Sequence, residues 1–313
     1  MRASEVLSLI AGKVLPEDIV ADIAADHLAF RPDDYYRGLL KTADADPKVI
    51  AALDSAQVDI EQTPEAESGK DLLEGLADAA SAMNSGKKDQ AAQYLKAALA
   101  ISLNSPDCYF VVGQLLLDEE QWLGAQTAYN HVLAEDADYP DALTKLSYVF
   151  YREDDGESAL QNAEAALKQN PDSAESHKNA ALALEKLRQF DAAEKEYQSS
   201  LRLKSDYTFA RYDLGNLYRE SGQPDKAIEQ YRKALTLNPD YAPAHNNLGY
   251  TLQMKGDLGD AIREYREATR LDPSALDARQ NLAYALEENG MYGPAVKEYR
   301  QIEEDFPNSS MCH

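Results

Sequence analysis

Four residues at 34-residue intervals pose the first chemical question of this sequence: Asn179, Asp213, Asn247 and Asn281. A side-chain amide carries donors and an acceptor, so it can pair with the N–H and the C=O of a peptide together. Repeated at a fixed step, such amides form a ladder that can hold an extended chain by its backbone, with little demand on the ligand's side chains. Asp213 interrupts the series, because an ionised carboxylate only accepts. Three residues beyond matching points of the same frame lie Tyr148, Asn216, Tyr250 and Tyr284, and Tyr212 stands beside Asp213. Tyrosine offers apolar area and a hydroxyl at small entropic cost, which suits recognition. Two plainer readings stay open: the asparagines reflect a repeat average, and part of each ring packs between helices.

Chemistry of a catalytic kind finds little support. The histidines are His27, His131, His177, His245 and His313, and none has a companion at zinc-type spacing. Cys108 and Cys312 lie far apart, which suits free thiols in a reducing compartment. A glycine-rich phosphate loop and a nucleophile motif are both missing from the sequence. Acid pairs such as Asp154-Asp155 and Glu287-Glu288 read as turns or solvated helix faces. The expectation is a protein without catalytic residues, metal or cofactor, and not an enzyme.

The elements that must position these groups repeat. Alanine recurs at the twentieth place of seven consecutive 34-residue stretches: Ala91, Ala125, Ala159, Ala193, Ala227, Ala261 and Ala295. Four places later stand Tyr129, Tyr197, Tyr231, Tyr265 and Tyr299, and near the end Pro171, Pro239, Pro273 and Pro307. In the stretch 208–241, Leu214, Gly215 and Tyr218 share one helical face. A turn at Ser221-Gly222-Gln223-Pro224-Asp225 leads to a second helix that buries Ala227, Tyr231 and Ala234 before Asn238-Pro239 ends it. A period in this range means a stacked solenoid of paired helices, each an incomplete core completed by its neighbours.

Leu214-Gly215, Leu248-Gly249, the alanines, the tyrosines and the prolines together resemble the tetratricopeptide repeat, position by position. The resemblance covers 72–309 as seven copies: 72–105, 106–139, 140–173, 174–207, 208–241, 242–275 and 276–309. The first copy departs most, with Asp78 at the usual leucine and Leu103 at the proline. The implied fold is all-α, a right-handed superhelical solenoid of seven helix-turn-helix repeats behind an N-terminal helical segment. The resemblance further implies that the first helix of each pair lines a concave groove through its positions 2, 5, 6, 9, 12 and 13. The Asn179–Asn281 series holds position 6, and is similar to the asparagine ladder in the repeat arm of the O-linked N-acetylglucosamine transferases. An accessory arm to such an enzyme is therefore one further reading, carried by the ladder alone. A carboxylate clamp for chaperone tails is not implied: Lys178 would begin it, but Leu182, Asp213, Pro243 and Asn247 fail to continue it.

Acidic residues number 55 against 31 basic ones, for a net charge of -24. That disfavours non-specific binding to nucleic acid or to anionic membranes. The brief apolar run Val6–Ala11 makes a poor signal peptide, and no window approaches a membrane span, so the default location is cytoplasmic. Residues 1–56 read as four helices, Arg2–Val14, Pro16–Phe30, Asp33–Thr42 and Pro47–Ala56, either a cap on the first repeat or a module that docks a partner. Residues 57–71 read as an acidic linker and 310–313 as a tail. The last helix should open at Pro294, run to about Glu304, and expose a stripe including Val296 and Ile302, which reads as a tolerated modest patch, as a site of self-association through the C-terminal repeat, or as the mark of a chain shortened at its C-terminus. The sequence thus reads as an adaptor that binds a protein or peptide in its groove. The alternative is a self-assembling scaffold that acts through its front segment and last helix.

Overall fold

The computed structural model describes residues 1–58 and 70–306. Most of the 57–71 linker, Pro307 and the 310–313 tail with Cys312 and His313 lie outside the described residues. Among the described residues the chain is all-helical, with eighteen helices and no strand beyond one bridge between Leu28 and Val58. Residues 1–204 form one compact unit and 205 onward a second.

The 34-residue period is written into the backbone of the turns. Gly86, Glu120, Asp154, Arg188, Gly222, Gly256 and Gly290 each have positive φ, between 58° and 86°, and each closes the first helix of a pair. A left-handed residue there lets the chain reverse without a long loop. The second helix then starts within two residues, and Pro224 sits in the first turn of its helix, where a missing N–H costs nothing.

In the first unit four helices precede the pairs: α1 (Ala3–Ala11), α2 (Pro16–Asp26), α3 (Asp34–Thr42) and α4 (Pro47–Ser55). α1 is shorter than Arg2–Val14, because Lys13 takes positive φ (54°) and reverses the chain. α2 stops before Phe30 for the same reason, at His27 (φ 58°). The pairs follow as α5 (Lys70–Asn84) with α6 (Lys88–Ile101), α7 (Pro106–Asp118) with α8 (Trp122–Glu135), α9 (Ala142–Arg152) with α10 (Gly156–Gln169), and α11 (Ala174–Lys186) with α12 (Phe190–Leu203). α1 packs on α5 and α7, α3 packs on α5, and one apolar core runs from Ala3 to Val149. All nine residues of α1 are buried.

In the second unit α13 (Thr208–Glu220) pairs with α14 (Pro224–Leu237), α15 (Ala242–Met254) with α16 (Leu258–Leu271), and α17 (Leu276–Glu288) with α18 (Tyr292–Asp305). In the first two of these pairs small residues face a buried ring. Tyr231 lies under Gly215 and Tyr265 under Gly249, and the alanines Ala227 and Ala261 are wholly buried. α18 differs from its expected form. It starts at Tyr292, ahead of Pro294, and Ile302 is buried, whereas Val296 is exposed. The expected stripe is therefore narrower, because Ile302 packs inward and Val296 does not.

A Cβ added at Gly215 would meet the Tyr231 ring at 2.6 Å, so Gly215→Ala forces the ring or the helix to move. We expect a loss of about 1–3 kcal/mol in urea unfolding, the usual overpacking cost. Gly259→Ala, which meets nothing within 4 Å on α16, should be neutral or slightly stabilising in the same measurement.

Candidate functional site

The expected groove positions have opposite fates in the two units. In the first unit they are occupied. Leu76, Ala77 and Ala80 of α5 and Phe110 and Val111 of α7 are buried where α1 packs across both helices. Phe110 lies so close to the end of α1 that a Cβ on Gly12 would collide with its ring. Polar contacts fix the same helix. The Arg2 guanidinium stands 3.7 Å from Asp107, the Tyr139 hydroxyl donates to Asp107 at 2.8 Å, and Ser8 bonds that same hydroxyl. Past the other end of α1 Lys13 pairs with Asp118. Asp107, Phe110 and Asp118 are positions 2, 5 and 13 of the second copy, all groove positions.

Further along the first unit the polar groove residues bind one another. Asn179 is 1% exposed and donates to the Thr144 carbonyl at 2.9 Å. Its amide staples α11 to α9 and faces no solvent. Lys145 pairs with Glu175 at 3.2 Å, and the Thr144 and Ser176 hydroxyls bond at 2.7 Å. Tyr148 is half-buried; the Lys178 ammonium lies 5.4 Å from its ring centre and the Arg152 guanidinium 5.9 Å.

In the second unit nothing covers the corresponding face among the described residues. Phe209 and Tyr250 are exposed, and Tyr284 is 58% exposed. Tyr212 packs edge-on against Tyr241 at 5.2 Å, and Phe209 meets the same ring at 5.6 Å. The amides form a chain of contacts that runs back from each pair to the one before. Asn247 donates to the Asn216 oxygen at 2.8 Å and to the Tyr212 hydroxyl at 3.0 Å, while Tyr231 donates to that Asn216 oxygen at 2.8 Å. Asn281 donates to Asn246 at 3.0 Å. The structure therefore brings Tyr212, Asn216 and Asn247 together, with Asp213 half-buried one residue away. Tyr250 and Tyr284 stand on the next two pairs, and the Arg219 guanidinium lies 5.7 Å from the Tyr250 ring centre. Asn246, one residue before its ladder position, was missed by sequence reasoning. Only its spacing of 35 residues from Asn281 marks it.

The histidines serve the frame. His177 bonds Glu196 at 2.6 Å and the Pro171 carbonyl at 3.1 Å. His245 repeats the arrangement with Glu264 at 2.6 Å and the Pro239 carbonyl at 3.0 Å. The hydrogen bond to glutamate outweighs desolvation and raises both imidazole pKa values. Among the described residues no group of three or more His, Cys, Asp or Glu is placed to hold a metal ion. No described helix is long and apolar enough to cross a membrane.

Because His245 has a raised pKa in the folded chain, its contribution to stability is complete below about pH 6.5. It is lost as pH rises through the folded-state value. His245→Gln should therefore destabilise the chain more at pH 6 than at pH 9, as read from paired urea melts. An equal loss at both pH values would assign the residue to packing alone.

Comparison with known proteins points the same way. A family model described as TPR repeat matches residues 215–256 and 254–290. Two described as tetratricopeptide repeat match 144–208 and 277–309. No sequence among the curated proteins matches the chain. Among solved structures it is similar to a thermophilic TPR protein of Thermus thermophilus, at 23% identity over 58% of this chain and 99% of that one, with a TM-score of 0.54. It is also similar to the APC/C hetero-tetramer Cut9–Hcn1, at 15% identity over 80% of this chain and 51% of that chain, with a TM-score of 0.64. At these identities the likeness concerns the fold alone.

Proposed function

This chain belongs to the tetratricopeptide repeat family, and from that premise we propose that it is a non-catalytic scaffold that binds a polypeptide on the face formed by α13, α15 and α17. One observation carries the reading: groove positions are filled by α1 on the first two pairs, yet open and aromatic in the second unit. Phe209, Tyr250 and Tyr284 are exposed there although a water-facing surface gains nothing from uncovered rings. Each offers an apolar area that a partner can cover, beside amides already held in place by their neighbours.

The amides have a role different from a free ladder. Asn216 and Asn247 spend hydrogen bonds on one another and on Tyr212 and Tyr231, so their geometry is set before a ligand arrives. Preorganised polar groups of this kind lower the entropic cost of binding. The Asn281 oxygen supplies an acceptor for a peptide N–H group. Net charge of -24 favours a basic or neutral partner over an acidic one. In this reading Tyr148 and Asn179, in the first unit, hold adjacent helices together.

A second reading keeps one observation in its favour. Val296 is 47% exposed, while Ile262, its counterpart one copy earlier, is 4% exposed because α17 packs on α16. A second copy of this chain covering α18 would remove that contrast. Light scattering across a concentration series checks it. A Val296→Glu variant should lower any measured association, and a monomer throughout would dismiss this reading.

The groove proposal is tested by affinity capture with Tyr250→Ala and Tyr284→Ala combined. Both rings are exposed, so the helical circular dichroism should be retained. Loss of each captured partner's affinity by roughly tenfold or more is expected, since a buried aromatic anchor contributes about 2 kcal/mol or more. Unchanged capture would move the binding surface elsewhere.

A further inference from the structure

The uncovered face of the second unit has a charge pattern of its own. Asp213 and Glu220 on α13, and Asp277, Glu287 and Glu288 on α17, fall at positions 2, 6, 12 and 13 of their copies. Steps of three and four residues set those positions on the side of the helix that also presents Phe209 and Tyr284. The cations of the same helices turn elsewhere. Arg211 donates to the Ser205 carbonyl at 2.6 Å, and Arg279 pairs with Asp305 of α18 at 2.5 Å. Arg219 is the cation left on that side among the described residues of these helices. The second helices carry the rest of the positive charge, as Arg232, Lys233, Arg263 and Arg266 do.

Tyrosines at the ninth position of a copy seat cations elsewhere in the chain. The Tyr148 ring has the Lys178 ammonium at 5.4 Å and the Arg152 guanidinium at 5.9 Å. Tyr250, three copies later, has Arg219 at 5.7 Å. Tyr284 is next in the series. It is 58% exposed, and no cation stands over its ring among the described residues. Gln253 takes the place of Arg219 one copy on, and it is an uncharged amide that donates to Glu288 at 2.7 Å. Its own helix gives Tyr284 two glutamates one turn beyond the ring, where the helix of Tyr250 has Gln253 and Met254. Each is oriented through one oxygen, Glu288 by Gln253 and Glu287 by the Tyr299 hydroxyl at 3.1 Å, and both remain exposed. An open ring beside two oriented carboxylates is a cation seat without its cation.

Resting on the reading of this face as a binding surface, we propose that its partner is a polypeptide segment bearing arginine, with one guanidinium stacked on Tyr284 and donating to Glu287 or Glu288. Arginine fits this seat better than lysine, because its plane can lie on a ring while its fork reaches a carboxylate. Glu220 and Asp277 add to the negative field that draws such a segment in. The same carboxylates repel an acidic segment. The charge of this face, and not only that of the whole chain, thus selects the partner.

The test is fluorescence anisotropy of the full chain with a labelled Gly-Ser peptide of about twelve residues carrying arginines, in about 150 mM salt to damp general attraction to the acidic surface. Two matched peptides carry lysine, or the uncharged isostere citrulline, in place of arginine. We expect saturable binding of the arginine peptide, weaker binding of the lysine peptide and loss with citrulline. Tyr284→Ala should weaken the arginine peptide by about fivefold or more, whereas Tyr284→Phe, which keeps the face of the ring, should hold it within about twofold. Glu287→Gln with Glu288→Gln should weaken it comparably. Glu303→Gln with Glu304→Gln, which removes as much charge from α18, should not. All these side chains are exposed, so circular dichroism should be unchanged. Absence of saturable binding, equal affinity for the lysine peptide, equal losses from the two glutamine pairs, or binding that Tyr284→Ala leaves intact would overturn the proposal. If Tyr250→Ala with Tyr284→Ala abolishes partner capture while the arginine peptide ignores Tyr284, the groove reading stands and the arginine assignment falls. Unchanged capture together with unchanged peptide binding removes both.

Discussion

Everything in this chain depends on how closely two helices approach within a pair. Gly215 touches the Tyr231 ring, Gly249 the Tyr265 ring, and Ala227 and Ala261 leave no exposed surface at the contact. With so small a separation each pair has one sealed side and two apolar faces, and those faces must find something else. The next pair covers one of them, which is why stability in such arrays builds from neighbour to neighbour. The left-handed turn residue every 34 positions keeps the geometry of each step alike, whether it is Gly222 or the bulkier Arg188.

At the front of the chain the same need is met by different means. The first two pairs present Leu76, Phe110 and Val111 on the side where later pairs present tyrosine and asparagine. Those residues are too apolar to face water, and α1 lies on them. Its polar atoms are matched individually: Ser8 to Tyr139, with Arg2 to Asp107 and Lys13 to Asp118 at its two ends. The front segment is thus part of the core of the first unit, and the uncovered face of the second unit carries residues whose side chains tolerate solvent.

The frame was legible because it rests on residue size at fixed intervals, which a single sequence displays. Ala227, Tyr231 and Gly222 could be assigned to core, core and turn without coordinates, and each has that role. The site was only partly legible. Position 6 was readable as a row of amides, but whether an amide faces a ligand or a neighbour depends on what packs beside it. Asn179 reaches a carbonyl on α9 and is buried; Asn247 reaches Asn216 and Tyr212 and remains half open. The docking of α1 was foreshadowed by Ala3, Val6, Leu7, Leu9 and Ile10, which share one broad face of the helix opposite Ser4, Glu5 and Ser8. Its target was not, since nothing local in residues 3–11 refers to Phe110.

The burial of α1 bears on how the chain is made. α1 leaves the ribosome before its partners on α5 and α7, and its Ser8 waits for Tyr139. At a synthesis rate of about 5–20 residues per second, that hydroxyl follows roughly 7–26 s later. Over this interval nine residues that end up buried have no interior to enter. Pairs of the second unit close on sequence neighbours as they emerge, whereas the first unit must gather α1 onto partners far along the chain. Translation speed and holding factors will therefore weigh on the first unit far more than on the second.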